Sequence, residues 1–409
     1  MKKIIKNIAL ITLSLLVVSL FCCRSNTALA QSDTELYDMV WKLVNSKYID
    51  QTNNGQDWSR WRNKYDDKIK TPEDAYVAID TMIASLNDRY TRFLPPKEFD
   101  EEKNAIKASL FGIGVHIGLR DGKILVISPI ENTPGEKAGL LPEDEIISID
   151  GALTKDMSIE KAAEAIRGEK GTTVELVIKR KGVAENKTYK IVRDEIKIKS
   201  ISVKAPENIT IDEKIGYVRL SSFMGRNVST DFREVLLDYK NKEGIILDLR
   251  ANTGGLLSNA ISIADMFLDD DIIVSTVDRD GYKDTSRSTK RFSSEQHLVV
   301  LINGASASAS EILSGALKDN QRAILIGENT FGKGLVQEVK SLLPFGAGIN
   351  ITVQKYLTPN GTDINKKGIA PDIEVKFSEQ NIKDKDDVQL KKAQEVLLQM
   401  IQNEKMSAN

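Results

Sequence analysis

The chain has 409 residues, 41% of them hydrophobic and 28% charged, which is ordinary globular composition with enough length for two or three domains. Its 57 basic and 59 acidic side chains nearly balance, and no basic block stands out, so nothing in the charge pattern argues for nucleic acid. Both cysteines fall at positions 22 and 23, so the rest of the chain has no thiol for disulfide, zinc or nucleophile chemistry.

The first thirty residues carry Lys2, Lys3 and Lys6, an apolar stretch from Ile8 to Cys23, and the small-residue site Ala28-Leu29-Ala30. That layout predicts a secretory signal peptide over residues 1–30, with an uncleaved membrane anchor as the alternative. Without them the formal charge becomes −6. Residues 31–106 read as an N-terminal helical region, since Tyr37, Val40, Trp41, Val44 and Tyr48 recur at three- and four-residue steps. Pro95 and Pro96 interrupt that periodicity after LNDRYTRFL.

Over residues 107–195 the character changes to short strands, FGIGVHIGL, KILVISPI, DEIISIDG and TTVELVIKRKG, with SIEKAAEAIRG as a capped helix closed by glycine. From Ile215 continuous apolar strands alternate with helical stretches, predicting an α/β core with a largely parallel sheet over residues 196–380. Residues 381–409 close the chain with an amphipathic helix, DVQLKKAQEVLLQMI, expected to pack on the body.

NGASASASEIL, Asn303 to Leu313, places Ser306, Ser308 and Ser310 at alternate positions between an apolar strand and a helix. Ser308 would stand at the helix N-terminus, where unpaired amides and the dipole favour an oxyanion. Ser306 and Ser310 fit turn and capping roles, and the pattern alone does not separate the three. A serine nucleophile needs a base. His297 opens its strand at the end far from the serines and His116 lies in the 107–195 segment, so neither suits a Ser-His-Asp triad. No zinc motif such as HExxH occurs, and no metal or other cofactor is implied.

The remaining candidate base is a lysine, which must be desolvated to be neutral. Lys333, flanked by Phe331, Gly332, Gly334 and Leu335, is the one expected in a tight, mostly uncharged pocket. Gly327 to Lys333 also spells GxxxxGK, a near P-loop, but Gly334 replaces the magnesium-binding hydroxyl and LVQEV alternates like a strand. A second oxyanion amide would come from DLRANTGG, where Asn252, Gly254 and Gly255 offer exposed amides after the strand.

Two resemblances follow from these stretches. FGIG and GEKAGLLPEDEIISIDG resemble a PDZ domain, which implies that Ile113, Gly114 and Val115 form a loop taking a terminal carboxylate while the peptide adds as an edge strand. SASASEILSGAL followed by GENTFGKGLVQ resembles the carboxyl-terminal-processing (tail-specific) serine proteases, and LNDRYTRFL, IGYVRLSSF, DLRANTGG and KYLTPNGTDINKKGIAPDIEV extend the likeness over nearly the whole mature chain. The resemblance implies a Ser-Lys dyad: Ser308 as nucleophile, Lys333 as general base, Gln337 orienting the amine, and Ala309 with Gly254 as the oxyanion hole. Positions 333 and 337 share a face if both lie in one strand. It also implies a protein or peptide C-terminus as partner, near a membrane through the substrate or an uncleaved leader. YDMVWKLVNSKYID and NGQDW resemble the photosynthetic branch, implying maturation of a photosystem II reaction-centre subunit in the thylakoid lumen; a general periplasmic quality-control protease is the alternative.

Overall fold

The computed structural model describes residues 33–407 other than 107, 108, 121, 131, 156, 198 and 290–293. The leader expected over residues 1–30 lies outside them. The chain divides into two compact units. The larger comprises the chain up to Glu102, Val203–Phe223 and Ser229–Asn409; the smaller comprises Lys103–Ser202 with Met224–Val228.

In the smaller unit, five strands run in the order Val115–Arg120, Lys123–Pro129, Glu145–Ile149, Thr173–Lys179, Lys187–Val192, every neighbour antiparallel. Val115–Arg120 is therefore an edge strand. Alternation along Thr173–Lys179 sends Val174, Leu176 and Ile178 into a core shared with Ile124, Val126, Ile146 and Ile149. The helix Ile159–Ile166 covers that core with Ala162 and Ile166. Glycine alone does not close this helix: Arg193, buried, donates Nε to the Ile166 carbonyl at 3.0 Å and a terminal nitrogen to that of Ala165 at 2.9 Å. A cation at a helix C-terminus satisfies carbonyls that have no helical partner.

The larger unit is built on two sheets. Ile215–Leu220, Gly244–Asp248, His297–Ile302, Ile324–Gly327 and Ile373–Glu374 are parallel neighbours in that order. Apart from the short edge strand Ile373–Glu374, their apolar sequences are largely buried on both faces, as a parallel sheet requires. The terminal helix Val388–Ser407 lays Leu390, Ala393, Val396, Leu397 and Ile401 against Tyr217, Ile246, Val299 and Leu301. Gly244 permits that approach, since a Cβ there would lie within 2.9 Å of three Leu397 side-chain carbons.

The second sheet is antiparallel, with Ala347–Leu357 paired to Arg92–Leu94, Ile272–Asp278 and Leu335–Leu342. Helices 33–47 and Pro72–Ala84 pack on it through Tyr37, Val40, Val44, Ile79 and Met82 against Ile349 and Ile351. The N-terminal region is thus helical as expected, with one exception. Arg92–Leu94 forms a strand in register with Asn350, Ile349 and Gly348, and its partner lies about 250 residues away, where no local periodicity could announce it.

Candidate active site

The parallel strands Gly244–Asp248 and His297–Ile302 end side by side, and crevices beyond the carboxyl ends of such strands are where α/β sheets bind ligands. The second leads through Asn303–Ala307 into the helix Ala309–Asp319. Ser308 caps that helix at φ 55°, ψ −114°. A non-glycine residue held at such positive φ stores about 1–3 kcal/mol of strain, which surrounding contacts must offset.

The structure separates the three serines. Ser306 is fully buried, donates to the Leu249 carbonyl at 2.8 Å and accepts the Asn303 amide at 3.0 Å. Ser310 is equally buried and donates to the Asn252 carbonyl at 2.8 Å. Both hydroxyls stitch the two loops together. Ser308 alone is part-exposed.

Ala309 supplies the first helical amide, which has no intrahelical acceptor. Gly254 lies directly against it: a Cβ on Gly254 would sit 2.9 Å from Ser308 Cβ and 3.0 Å from the Ala309 nitrogen, and its φ of 104° suits glycine alone. Its own N–H donates to Asn252 Oδ1 at 2.9 Å, while the Asn252 side-chain amide is tied to the Leu220 carbonyl at 2.8 Å. Gly255 forms a parallel bridge with Phe223.

Glu311 was not singled out from the sequence. It is fully buried, and its carboxyl accepts four hydrogen bonds: Thr330 Oγ1 at 2.6 Å, Gly332 N at 2.7 Å, Ser308 N at 2.8 Å and Lys333 N at 2.9 Å. The Tyr356 hydroxyl, also buried, lies 3.3 Å from the Ser308 carbonyl oxygen and hydrogen-bonds that of Lys333. One carboxyl and one phenol thus grip the backbones of both residues, 25 positions apart in sequence. The S-x-x-E spacing of a capping box was the signal that could have found Glu311.

Lys333 lies in irregular backbone ahead of the strand Leu335–Leu342, so the shared-face argument linking it to Gln337 does not apply. Its pocket is less apolar than its flanking residues suggest. Nζ stands 4.9 Å over the Tyr90 ring, and Arg89 stacks on both Tyr90 and Phe331. Burial holds the amine below the ordinary lysine range; Arg89 pushes the same way, and Glu102, Asp88 and Glu311 oppose with less effect. Among the described residues the amine makes no ion pair.

Gln337 is part-buried opposite Thr352, with Nε2 3.5 Å from Thr352 Oγ1. His297 bonds Glu404 at 2.9 Å, at the opposite end of its strand from the serine loop. The GxxxxGK stretch leads into a strand, which removes the helix a phosphate-cradling loop requires.

In the smaller unit, a cavity of about 770 Å³ is bounded by Gly112, Ile113, Gly114 and Val115 on one side and Ile159 and Ala163 on the other. Ile113 points into the core, so it can offer a ligand only its backbone. Gly114 has φ 72°, and a Cβ there would meet the Thr133 side chain at 2.4 Å.

Comparison with known proteins gives this geometry a context. Residues 214–375 match peptidase family S41 and residues 125–180 match a PDZ domain. The chain is 40% identical to a carboxyl-terminal-processing protease of Picosynechococcus sp., over 89% of this chain and 88% of that one. It is 38% identical to the chloroplastic carboxyl-terminal-processing peptidase 2 of Arabidopsis thaliana, over 82% and 68%. A solved photosystem II D1 C-terminal processing protease is 33% identical and superposes with a TM-score of 0.57 over 84% of this chain and 93% of that one. The chain belongs to peptidase family S41, as a serine-type peptidase of the carboxyl-terminal-processing kind with a PDZ domain.

Proposed function

We propose that Ser308 and Lys333 form a Ser-Lys dyad, with Gln337 orienting the lysine amine. The observation that carries this reading is the double grip of Glu311 and Tyr356 on the backbones of both residues, beside an amine that burial disposes to be neutral. The amine takes the Ser308 proton as Oγ attacks the scissile carbonyl, and the resulting ammonium returns that proton to the leaving amine. Ala309 N–H and an amide of the Gly254–Gly255 turn receive the oxyanion. Gly254 is the family's donor by resemblance, and its present bond to Asn252 must then be shared with, or yielded to, the anion. Water attacks the acyl-enzyme with Lys333 again as base.

The substrate is a protein with a free, apolar C-terminus. The groove at Ile113–Val115 takes its carboxylate, and the tail adds to the edge strand Val115–Arg120. The enzyme works after export, in a periplasm or a thylakoid lumen, and the D1 precursor tail is its specific candidate by likeness to the D1 processing protease.

The test compares wild type with Ser308→Ala and Lys333→Met on a peptide of that kind. Each variant is expected to lose about 10³-fold or more in acylation rate. Acylation by Lys333→Met within about tenfold of wild type would overturn the dyad. A D1-type tail cleaved no faster than an unrelated apolar tail would remove the narrower assignment.

A further inference from the structure

We propose that Asp88 and Thr352 are positioning residues that fix the orientation of the Gln337 amide, and through it the lone pair of Lys333. The inference rests on the dyad reading above. The strand Arg92–Leu94, paired with Ala347–Leu357, carries Asp88–Thr91 to Thr352, whose ladder partner on the other side is Gln337. A segment near residue 90 thus meets a hairpin more than 240 residues further along the chain.

Thr352 is fully buried, and its hydroxyl lies 2.7 Å from Asp88 Oδ2. Thr352 donates to that oxygen, so its single hydroxyl proton is committed there. Thr91 Oγ1 donates to the same oxygen at 2.7 Å and accepts the Thr352 amide at 3.1 Å. With its proton engaged, Thr352 Oγ1 can offer Gln337 only a lone pair. The Gln337 side chain then presents Nε2 to it, 3.5 Å away, which leaves Oε1 as the end that the proposed orienting contact with Lys333 would use.

That polarity matters to an amine base. A neutral Lys333 has two N–H groups and one lone pair. An acceptor beside it takes an N–H and leaves the lone pair for the serine proton, whereas a reversed amide would donate to the lone pair and block it. Asp88 also fixes the platform beneath the amine, because Oδ1 accepts the Tyr90 amide at 2.9 Å and the Tyr90 ring lies under Lys333 Nζ.

The experiment measures kcat and KM for peptide hydrolysis in Thr352→Val, Thr352→Ser, Asp88→Asn, Gln337→Ala and the Thr352→Val/Gln337→Ala pair. Thr352→Val and Asp88→Asn are expected to lower kcat about 10- to 100-fold with KM within about twofold. Thr352→Ser, which keeps the hydroxyl, should recover kcat to within about threefold of wild type, and Thr352→Val should add less than about twofold in the Gln337→Ala background. An unchanged kcat in Thr352→Val alongside a lowered kcat in Gln337→Ala, or losses that multiply in the double variant, would overturn the relay. A Gln337→Ala variant with wild-type kcat overturns it too, whereas failure of the dyad itself shows separately as activity retained in Lys333→Met. Thermal unfolding of each variant identifies misfolding, and if Asp88→Asn misfolds, the serine and valine variants at position 352 carry the test.

Discussion

Ser306, Ser308 and Ser310 are chemically identical, yet of the three only Ser308 is part-exposed. Ser306 and Ser310 hold loop carbonyls in the interior, so Ser306→Ala should cost about 1–3 kcal/mol in denaturant unfolding while leaving Ser308 open to acylation. Ser308→Ala should show the reverse, with little loss of stability and no acyl-enzyme. Lys333 has a stability signature of its own. Its folded-state pKa is lowered, so between that value and about 10.4 the unfolded chain binds more protons than the folded one, and stability rises with pH through that window. At neutral pH the buried amine therefore opposes folding, and Lys333→Met is expected to raise Tm while abolishing turnover. A lowered Tm at neutral pH would contradict this.

Elements position these residues through ties that sequence spacing cannot display. The loop holding Asn252 and Gly254 follows Arg250, which lies two residues past its strand and whose guanidinium bonds Asp248 at 2.7 Å and Asp387, just ahead of the terminal helix, at 2.7 Å. Tyr217 adds a 2.8 Å bond to Asp248, and Arg219 stands 3.6 Å from the same carboxylate. Asp387→Ala removes one of the two carboxylates on Arg250 and leaves the buried Asp248 pair in place, so it should cost about 1–3 kcal/mol. Burial raises the Asp387 pKa, but its bond to Arg250 prevails and holds the carboxyl below the usual range. The contribution is thus complete above about pH 3.9 and is lost as pH falls through the folded-state value, so Asp387→Asn should flatten that part of an acid-unfolding curve. The helices and parallel strands were legible because period and apolar continuity report burial directly. The strand Arg92–Leu94, the four-way grip of Glu311 and the charges around Lys333 were not, because each depends on partners brought close only by the fold. LNDRYTRFL stood out by resemblance, but nothing within nine residues says that Asp88 meets Thr352.

At the scale of the whole molecule, one unit carries the crevice at Ser308 and the other an edge strand beside the groove at Ile113–Val115. On the proposed reading, that loop recognises the terminal charge as well as a side chain. A tail peptide with a free carboxylate should therefore bind at least about tenfold more tightly than its C-terminal amide, a difference of about 1.4 kcal/mol readable by calorimetry. Equal affinities would remove the carboxylate from the recognition scheme. The claim on which the catalytic account turns is that Lys333 acts as a neutral base. Its most direct test is the single-turnover acylation rate of Ser308 from about pH 6 to about pH 11, in wild type and in Lys333→Met. With Lys333 as a neutral base, the wild-type rate should rise along an acid limb with its midpoint below the ordinary lysine range, and the variant should be about 10³-fold slower and without that limb. An acid limb unchanged in the variant would contradict it.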